Sequence, residues 1–129
     1  MNKTILGSGI FFGVLAVILG AFGAHGLKGL IPENDLEAYR TGIDYQMYHA
    51  LLLLVLGNLG QLSEGSKKWV YLLLVSGILC FSFSLYLLAM NSLTPADLSV
   101  VGFITPIGGL MFICGWILLA YRLFKPLAR

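Results

Sequence analysis

Long uncharged apolar segments constrain this sequence more than any other feature. The first runs from Thr4 to Ala24 and contains no charged residue. Crossing the hydrocarbon core of a bilayer takes about 20 apolar residues in a helix, whereas the apolar core of a signal peptide is shorter. The length therefore favours a first transmembrane helix over a secretory signal, although Lys3 and the small residues near Ala24 would also fit a signal peptide.

Three more apolar segments follow, and the composition agrees with a membrane location. Hydrophobic residues make up 58% of the chain and charged residues 11%, against about 25% charged in ordinary soluble domains. We predict an all-α membrane protein, one integral membrane domain over residues 1–129, with the lipid bilayer as its main partner. A net charge of +2 without a basic stripe argues against nucleic acid as a partner. The predicted spans are 4–25, 45–63, 69–90 and 100–123.

One polar segment separates the first two spans. Its apolar residues Leu36, Tyr39, Ile43 and Met47 share one helix face, after a helix-start signal around Pro32. We predict a short amphipathic helix over 34–44 that lies at the membrane surface and leads into the second span. On its polar side, Arg40 and Asp44 are spaced as an i,i+4 ion pair.

The second span is the least apolar of the four. It contains Gln46, His49, Asn58 and Gln61. Polar side chains that face lipid are unfavourable, so we expect these four to turn towards the protein interior or to lie near the span ends.

Basic residues are distributed unequally between the two predicted sides of the membrane. Only Lys28 and Arg40 fall on the side away from the termini, in company with most of the acidic residues. Because cytoplasmic segments are enriched in Lys and Arg, we predict that both termini are cytoplasmic. The basic residues on the side of the termini are Lys3, Lys67, Lys68, Arg122, Lys125 and Arg129.

Small residues recur at helical spacing and are typical of close helix packing in membranes. They would pack the helices of one chain or, alternatively, join chains into a homo-oligomer. The predicted packing positions are Gly9, Gly13, Ala16, Gly20, Ala24, Ser76, Cys80, Gly108 and Gly109.

Four motifs resemble those of a known family. They are GAFGAHGL at Gly20–Leu27, YQMYHALL at Tyr45–Leu52, FSFSLYLLA at Phe81–Ala89 and ITPIGGLMFICGWILLA at Ile104–Ala120. Together they are similar to the small membrane proteins of the domain of unknown function 423 family, which includes transmembrane protein 256. The resemblance implies a four-helix protein of the bacterial inner membrane, with no known activity. The third motif departs from the family's usual Ser-Gly-Ser, because Phe83 stands between Ser82 and Ser84.

Several polar residues of these motifs are predicted to lie in the outer half of the membrane. If the first two spans form a hairpin, its two histidines meet at about the same depth. A polar pocket near this hairpin that opens outward is the resulting hypothesis, since polar residues inside a membrane mark functional sites. Its predicted residues are His25, Tyr45, Tyr48, His49, Ser84, Tyr86 and Thr105.

Two classes of function are compatible with this pocket. The first is a non-enzymatic accessory or structural membrane protein, in which the polar residues hold the helices together. The alternative is a protein that handles a small ligand, lipid, metal or ion, acting as an oligomer or with a membrane-protein partner. No cysteine is near a histidine and no phosphate-binding glycine loop occurs in the sequence, so we predict no enzyme activity, metal or cofactor.

Overall fold

The computed structural model describes residues 1–125, so Arg129, one of the six basic residues counted above, lies outside the described residues. Within residues 1–125 the chain forms four helical rods joined by three connections. The first rod is α1 (Lys3–Phe22), extended by a π-helical turn at Gly23–Leu27, and the second is α2 (Glu33–Gly57). The third rod consists of α3 (Glu64–Gly77), a π-helical turn at Ile78–Ser82 and α4 (Phe83–Ala89). The fourth is α5 (Ile104–Phe124), which follows 3₁₀ turns at Asn91–Leu93 and Ser99–Phe103.

Three of the rods are long and apolar enough to cross a membrane. They span Lys3–Leu27, Glu64–Ala89 and Ser99–Phe124, with mean hydropathies of 2.4, 2.3 and 2.0. The second of them begins five residues before the predicted start at 69, because Ser63 caps it by accepting a hydrogen bond from the Ser66 backbone N–H. Large apolar side chains on these rods remain exposed, a surface that only lipid or another apolar partner can cover.

The predicted amphipathic surface helix over 34–44 is not a separate element. It is the first part of α2, a continuous helix of 25 residues that ends at Gly57 rather than at residue 63. The helix continues through Gly42 without a break. A larger residue would not fit at this position, since a Cβ on Gly42 would lie 2.6 Å from the Tyr86 ring. The apolar face predicted for this segment packs against the protein, and Leu36 and Tyr39 are each only 1% exposed.

Helix α2 runs antiparallel to α1 along almost its full length. At one end, the Asn2 backbone N–H donates to the Gly57 carbonyl at 2.9 Å. At the other, the Tyr39 hydroxyl donates to the Leu19 carbonyl. Helix α2 also packs against α4, and α3 packs against α5. The end of α2 therefore lies beside the beginning of α1.

Two apolar clusters form the interior. One lies at the connection between α1 and α2 and contains Leu27, Leu36, Tyr39 and Tyr86. The larger one fills the middle and opposite end of the bundle, where α2, α3 and α5 meet, and includes Leu53, Leu74 and Phe112. The polar residues described next lie between and around these clusters.

Candidate functional site: polar residues between the helices

The two histidines do not meet, so the prediction of a shared depth is wrong. His25 is exposed in the π-helical turn that ends α1, whereas His49 is 3% exposed inside the bundle. The residue after His49, Ala50, packs beside Gly9, where a Cβ would lie 2.9 Å from the Ala50 carbonyl oxygen. His25 is 16 residues beyond Gly9, about 24 Å along the helix. Helix α2 starts at Glu33, 12 residues before the predicted start at 45, and this carries His49 to the middle of α1.

Both ring nitrogens of His49 have partners. Nδ1 lies 2.7 Å from the Tyr45 carbonyl oxygen, and Nε2 lies 3.0 Å from the Trp116 indole Nε1. A carbonyl only accepts and an indole N–H only donates, so this geometry requires the neutral imidazole with its proton on Nδ1. The ring also stacks on Phe112, with 3.7 Å between ring centroids. His49 therefore links α2 to α5 and has no free nitrogen for a metal ion in this arrangement.

Gln46 links three helices, although its role was not predicted beyond its turning inward. Its side chain is fully buried, and its Nε2 donates to the Phe12 carbonyl of α1 at 2.8 Å. Its Oε1 accepts from the Tyr86 hydroxyl of α4 at 2.6 Å. A buried amide without partners would be strongly unfavourable in an apolar interior, and these two bonds compensate for its burial. The sequence indicates this burial through spacing: Gln46 is one helical turn from Ile43 and from His49, and all three side chains turn towards the interior of the bundle.

Serines 82 and 84, on either side of Phe83, contact different neighbours. The Ser82 hydroxyl donates to the Gly42 carbonyl of α2 at 2.7 Å, in a fully buried position. Ser84 donates to the Phe81 carbonyl within its own helix at 2.9 Å and is also hydrogen-bonded to Thr105 at the start of α5. The Ser82 bond holds the π-helical turn before α4 against α2, and the Ser84 bond holds α4 against α5.

The π-helical turn at Ile78–Ser82 is where α5 comes closest to its neighbour. A Cβ on Gly108 would overlap the backbone nitrogen of Phe81. A Cβ on Gly109 would only touch the Phe81 ring, at 3.8 Å. Of the predicted packing positions, Gly9 and Gly108 thus lie at the tightest contacts, while Ala24 is exposed.

The predicted site residues do not form a single pocket. Ser84, Tyr86 and His49 are buried, but each is hydrogen-bonded to a different side chain, namely Thr105, Gln46 and Trp116. Tyr45 and Tyr48 are 40% and 56% exposed, and the Tyr45 ring lies against the Phe81 ring with 4.9 Å between centroids. Asn58 and Gln61, the other polar residues of the predicted second span, lie beyond the end of α2. Gln46, His49, Ser82 and Ser84 are instead paired separately, each with a residue of another helix.

A cleft does occur at the first hairpin, but with other residues. It has a volume of about 270 Å³ and lies between the end of α1 and the first half of α2. Gly20, Gly23 and Ala24 form its α1 side, and Tyr39, Arg40, Ile43 and Asp44 its α2 side. Arg40 pairs with Glu33 at 3.5 Å, instead of with Asp44 as its spacing predicted. Within residues 1–125, no group of three His, Cys, Asp or Glu side chains is arranged to hold a metal ion.

The relatives of this chain are bacterial membrane proteins. A family model described as "Protein of unknown function (DUF423)" matches residues 19–109. A UPF0382 membrane protein of Staphylococcus aureus (strain bovine RF122 / ET3-1) is 43% identical over 87% of this chain and 88% of its own length. The UPF0382 membrane protein YwdK of Bacillus subtilis (strain 168) is 42% identical over 97% of this chain and 99% of its own. No solved structure shows a significant match to the chain. The chain therefore belongs to the DUF423 family of small membrane proteins.

Proposed function

We propose that this protein is a non-enzymatic accessory or structural protein of the bacterial inner membrane, built from four spans. Its interior polar residues act as cross-links between helices. The observation that carries this proposal is the pairing of those residues: Gln46, His49, Ser82 and Tyr86 each hydrogen-bond to a different helix from their own. A site that awaits a substrate would present unpaired polar groups, whereas these are occupied by protein.

The four-span arrangement is supported by the course of α2. This helix is not apolar enough to be recognised as a span by composition, since its first half contains charged residues. It nevertheless runs beside α1 from end to end, and its 25 residues correspond to about 37 Å. If α1 crosses the bilayer, α2 crosses with it. The interhelical bonds explain why its polar residues can lie at membrane depth, because their partners are in the protein.

The proposed orientation places both termini in the cytoplasm and the cleft near the outer surface. Lys3, Lys67 and Lys68 lie at the end of the bundle where Asn2 bonds to Glu64. Arg122 is at the same end, because α5 runs antiparallel to α3 with Gly115 against Leu74. The excess of positive charge at this end is typical of the cytoplasmic side.

The alternative function, handling of a small ligand or lipid, is favoured by one observation, the cleft at the first hairpin. The two functions can be separated with the two histidines as a matched pair. Under the structural proposal, His49→Gln lowers the unfolding midpoint in mixed micelles, because the Trp116 indole N–H loses its acceptor, while the exposed His25→Gln does not. Unchanged stability in His49→Gln, or a stoichiometric metal in the purified protein, would overturn the proposal.

A further inference from the structure

The exposed face of α2 carries polar side chains where the exposed face of α5 is apolar. Six residues of α2 and its C-terminal end follow one another at spacings of three and four, which keeps them on one helix face, and all six are exposed. They form what we call the α2 stripe: Thr41, Asp44, Tyr48, Leu51, Val55 and Asn58. The exposed stripe of α5 from Ile107 to Ile117 has the same spacing, but it contains no charged or hydroxyl-bearing residue. The polar residues, rather than the spacing, therefore distinguish α2.

Two polar residues of the α2 stripe lie deep in the proposed span. Ala50 packs beside Gly13, with 4.0 Å between its Cβ and the position of a Gly13 Cβ. Because the helices are antiparallel, Tyr48 lies two residues from this level, beside the middle of the first rod (Lys3–Leu27). Asp44 lies about 6 Å nearer the connection between α1 and α2. The apolar core of a bilayer extends about 15 Å to either side of its middle, so both residues lie within it.

Neither of these side chains has a partner of its own. The Asp44 carboxylate and the Tyr48 hydroxyl form no hydrogen bond or ion pair within the part of the chain that the structure describes. Arg40, one turn before Asp44, pairs with Glu33. Lipid chains offer no partner either, and a charge or hydroxyl at this depth is unfavourable unless protein pairs with it. The α2 stripe is therefore better suited to contact with protein than with lipid.

The α2 stripe is complementary to itself. Alternating spacings of three and four are the repeat of a left-handed helix pair, in which each side chain enters a space between four residues of the facing helix. When two copies pair in parallel about a two-fold axis, the space that receives Tyr48 is bordered by the partner's Asp44. Helical side chains lean towards the N-terminal end of their helix, which brings the Tyr48 hydroxyl towards that level. A phenol donates and a carboxylate accepts, and the two-fold axis gives this bond twice.

We propose that two copies of this protein associate in the membrane as a parallel dimer through the α2 stripe, with Tyr48 of each copy bonded to the partner's Asp44. Leu51 and Val55 pack against their counterparts in the half of the interface nearer the termini. The two Asp44 carboxylates lie in one layer, and their repulsion is offset by the hydroxyl that each of them accepts. This inference rests on the four-span arrangement proposed above, because only then does the α2 stripe lie at membrane depth.

Cysteine cross-linking in membranes tests the interface. Single cysteines are introduced into a chain with Cys80→Ala and Cys114→Ala, oxidised with copper phenanthroline and analysed on non-reducing gels. Leu51→Cys and Val55→Cys should give cross-linked dimers, because a parallel two-fold axis brings equal positions together. Absence of dimers at both positions would overturn the inference.

Two further cysteine positions serve as controls. Leu54→Cys lies beside the stripe at a position that faces Gly9 of α1, and it should remain monomeric. Leu110→Cys lies on the apolar stripe of α5 and is 60% exposed, against 53% for Leu51, and it should also remain monomeric. Cross-linking of Leu110→Cys as strong as that of Leu51→Cys would overturn the assignment to α2.

The proposed bond of Tyr48 can be tested with an equally exposed tyrosine as the control. Energy transfer between labelled copies of the full chain in mixed micelles gives the dimer dissociation constant. Tyr48→Phe should raise this constant about sevenfold, as expected for the loss of two interhelical hydrogen bonds of average strength. Tyr121→Phe, on α5, should leave it unchanged, although Tyr121 is 59% exposed and Tyr48 56%. Asp44→Asn keeps an acceptor and removes the like charges, so it should associate at least as tightly as the wild type.

These results are separable from those that test the structural proposal. Equal dissociation constants for Tyr48→Phe and Tyr121→Phe, or weaker association of Asp44→Asn than of the wild type, would overturn the bond. The stripe residues are exposed, so their variants should unfold like the wild type when the protein is too dilute to dimerise. A chain that stays monomeric at every concentration, while His49→Gln still lowers the unfolding midpoint, would overturn the dimer alone.

Discussion

The Tyr86 hydroxyl donates a 2.6 Å hydrogen bond to Oε1 of Gln46, and this bond joins α4 to the buried face of α2. The other end of the Gln46 amide binds the Phe12 carbonyl of α1. One side chain of α2 thus connects three helices.

Removing either partner of this bond should destabilise the bundle, and the two changes should not be additive. Tyr86→Phe should cost about 1 kcal/mol and Gln46→Leu about 1–3 kcal/mol, because the second also leaves the buried Tyr86 hydroxyl without its Gln46 acceptor. A double-mutant cycle in mixed micelles should give a coupling of about 0.6 kcal/mol or more, as for other hydrogen bonds between transmembrane helices. Strict additivity would show that the bond contributes nothing to stability.

Two adjacent glycines on α5 should respond differently to the same substitution. Gly108→Ala places a methyl group in the backbone of Phe81 and should cost about 1–3 kcal/mol through overpacking. Gly109→Ala meets only the Phe81 ring at contact distance and should change the unfolding free energy by no more than about 0.5 kcal/mol. Equal effects on the unfolding free energy would mean that α5 does not approach the π-helical turn as described.

The hydrogen bonds of His49 predict which nitrogen carries its proton. Nitrogen NMR of the labelled protein at neutral pH should show a protonated Nδ1 and an unprotonated Nε2, because Tyr45 accepts and Trp116 donates. Trp116→Phe should leave the proton on Nδ1 and change the Nε2 resonance. The exposed His25 serves as the internal reference and should show both tautomers. A His49 proton on Nε2 would contradict this geometry.

The sequence predicted helices more reliably than the positions of residues along them. Gln46 and His49 were expected to turn inward because a polar side chain facing lipid is unfavourable, and both are buried. Their partners were not predictable, since a hydrogen bond to Phe12 or Trp116 depends on how far one helix is shifted along another. Periodicity within a helix contains no information about that shift.

The misplaced histidine pair has a single cause. The second span was predicted to start at residue 45, but α2 starts at Glu33. The difference of 12 residues corresponds to about 18 Å along the helix, enough to move His49 from the level of His25 to the middle of α1. The polar composition of residues 33–44 favoured a surface helix, whereas the contacts of Leu36, Tyr39 and Gly42 with the bundle show that this segment is part of the packed helix.

Whether α2 crosses the membrane can be tested directly, by counting how many times the chain crosses. A reporter that is active only in the cytoplasm, fused in turn to the N terminus and to the C terminus, distinguishes four spans from three. With α2 crossing beside α1, both fusions should be active, and the same reporter inserted after Thr94 should be inactive. Termini on opposite sides of the membrane would contradict the account, because α2 would then not cross.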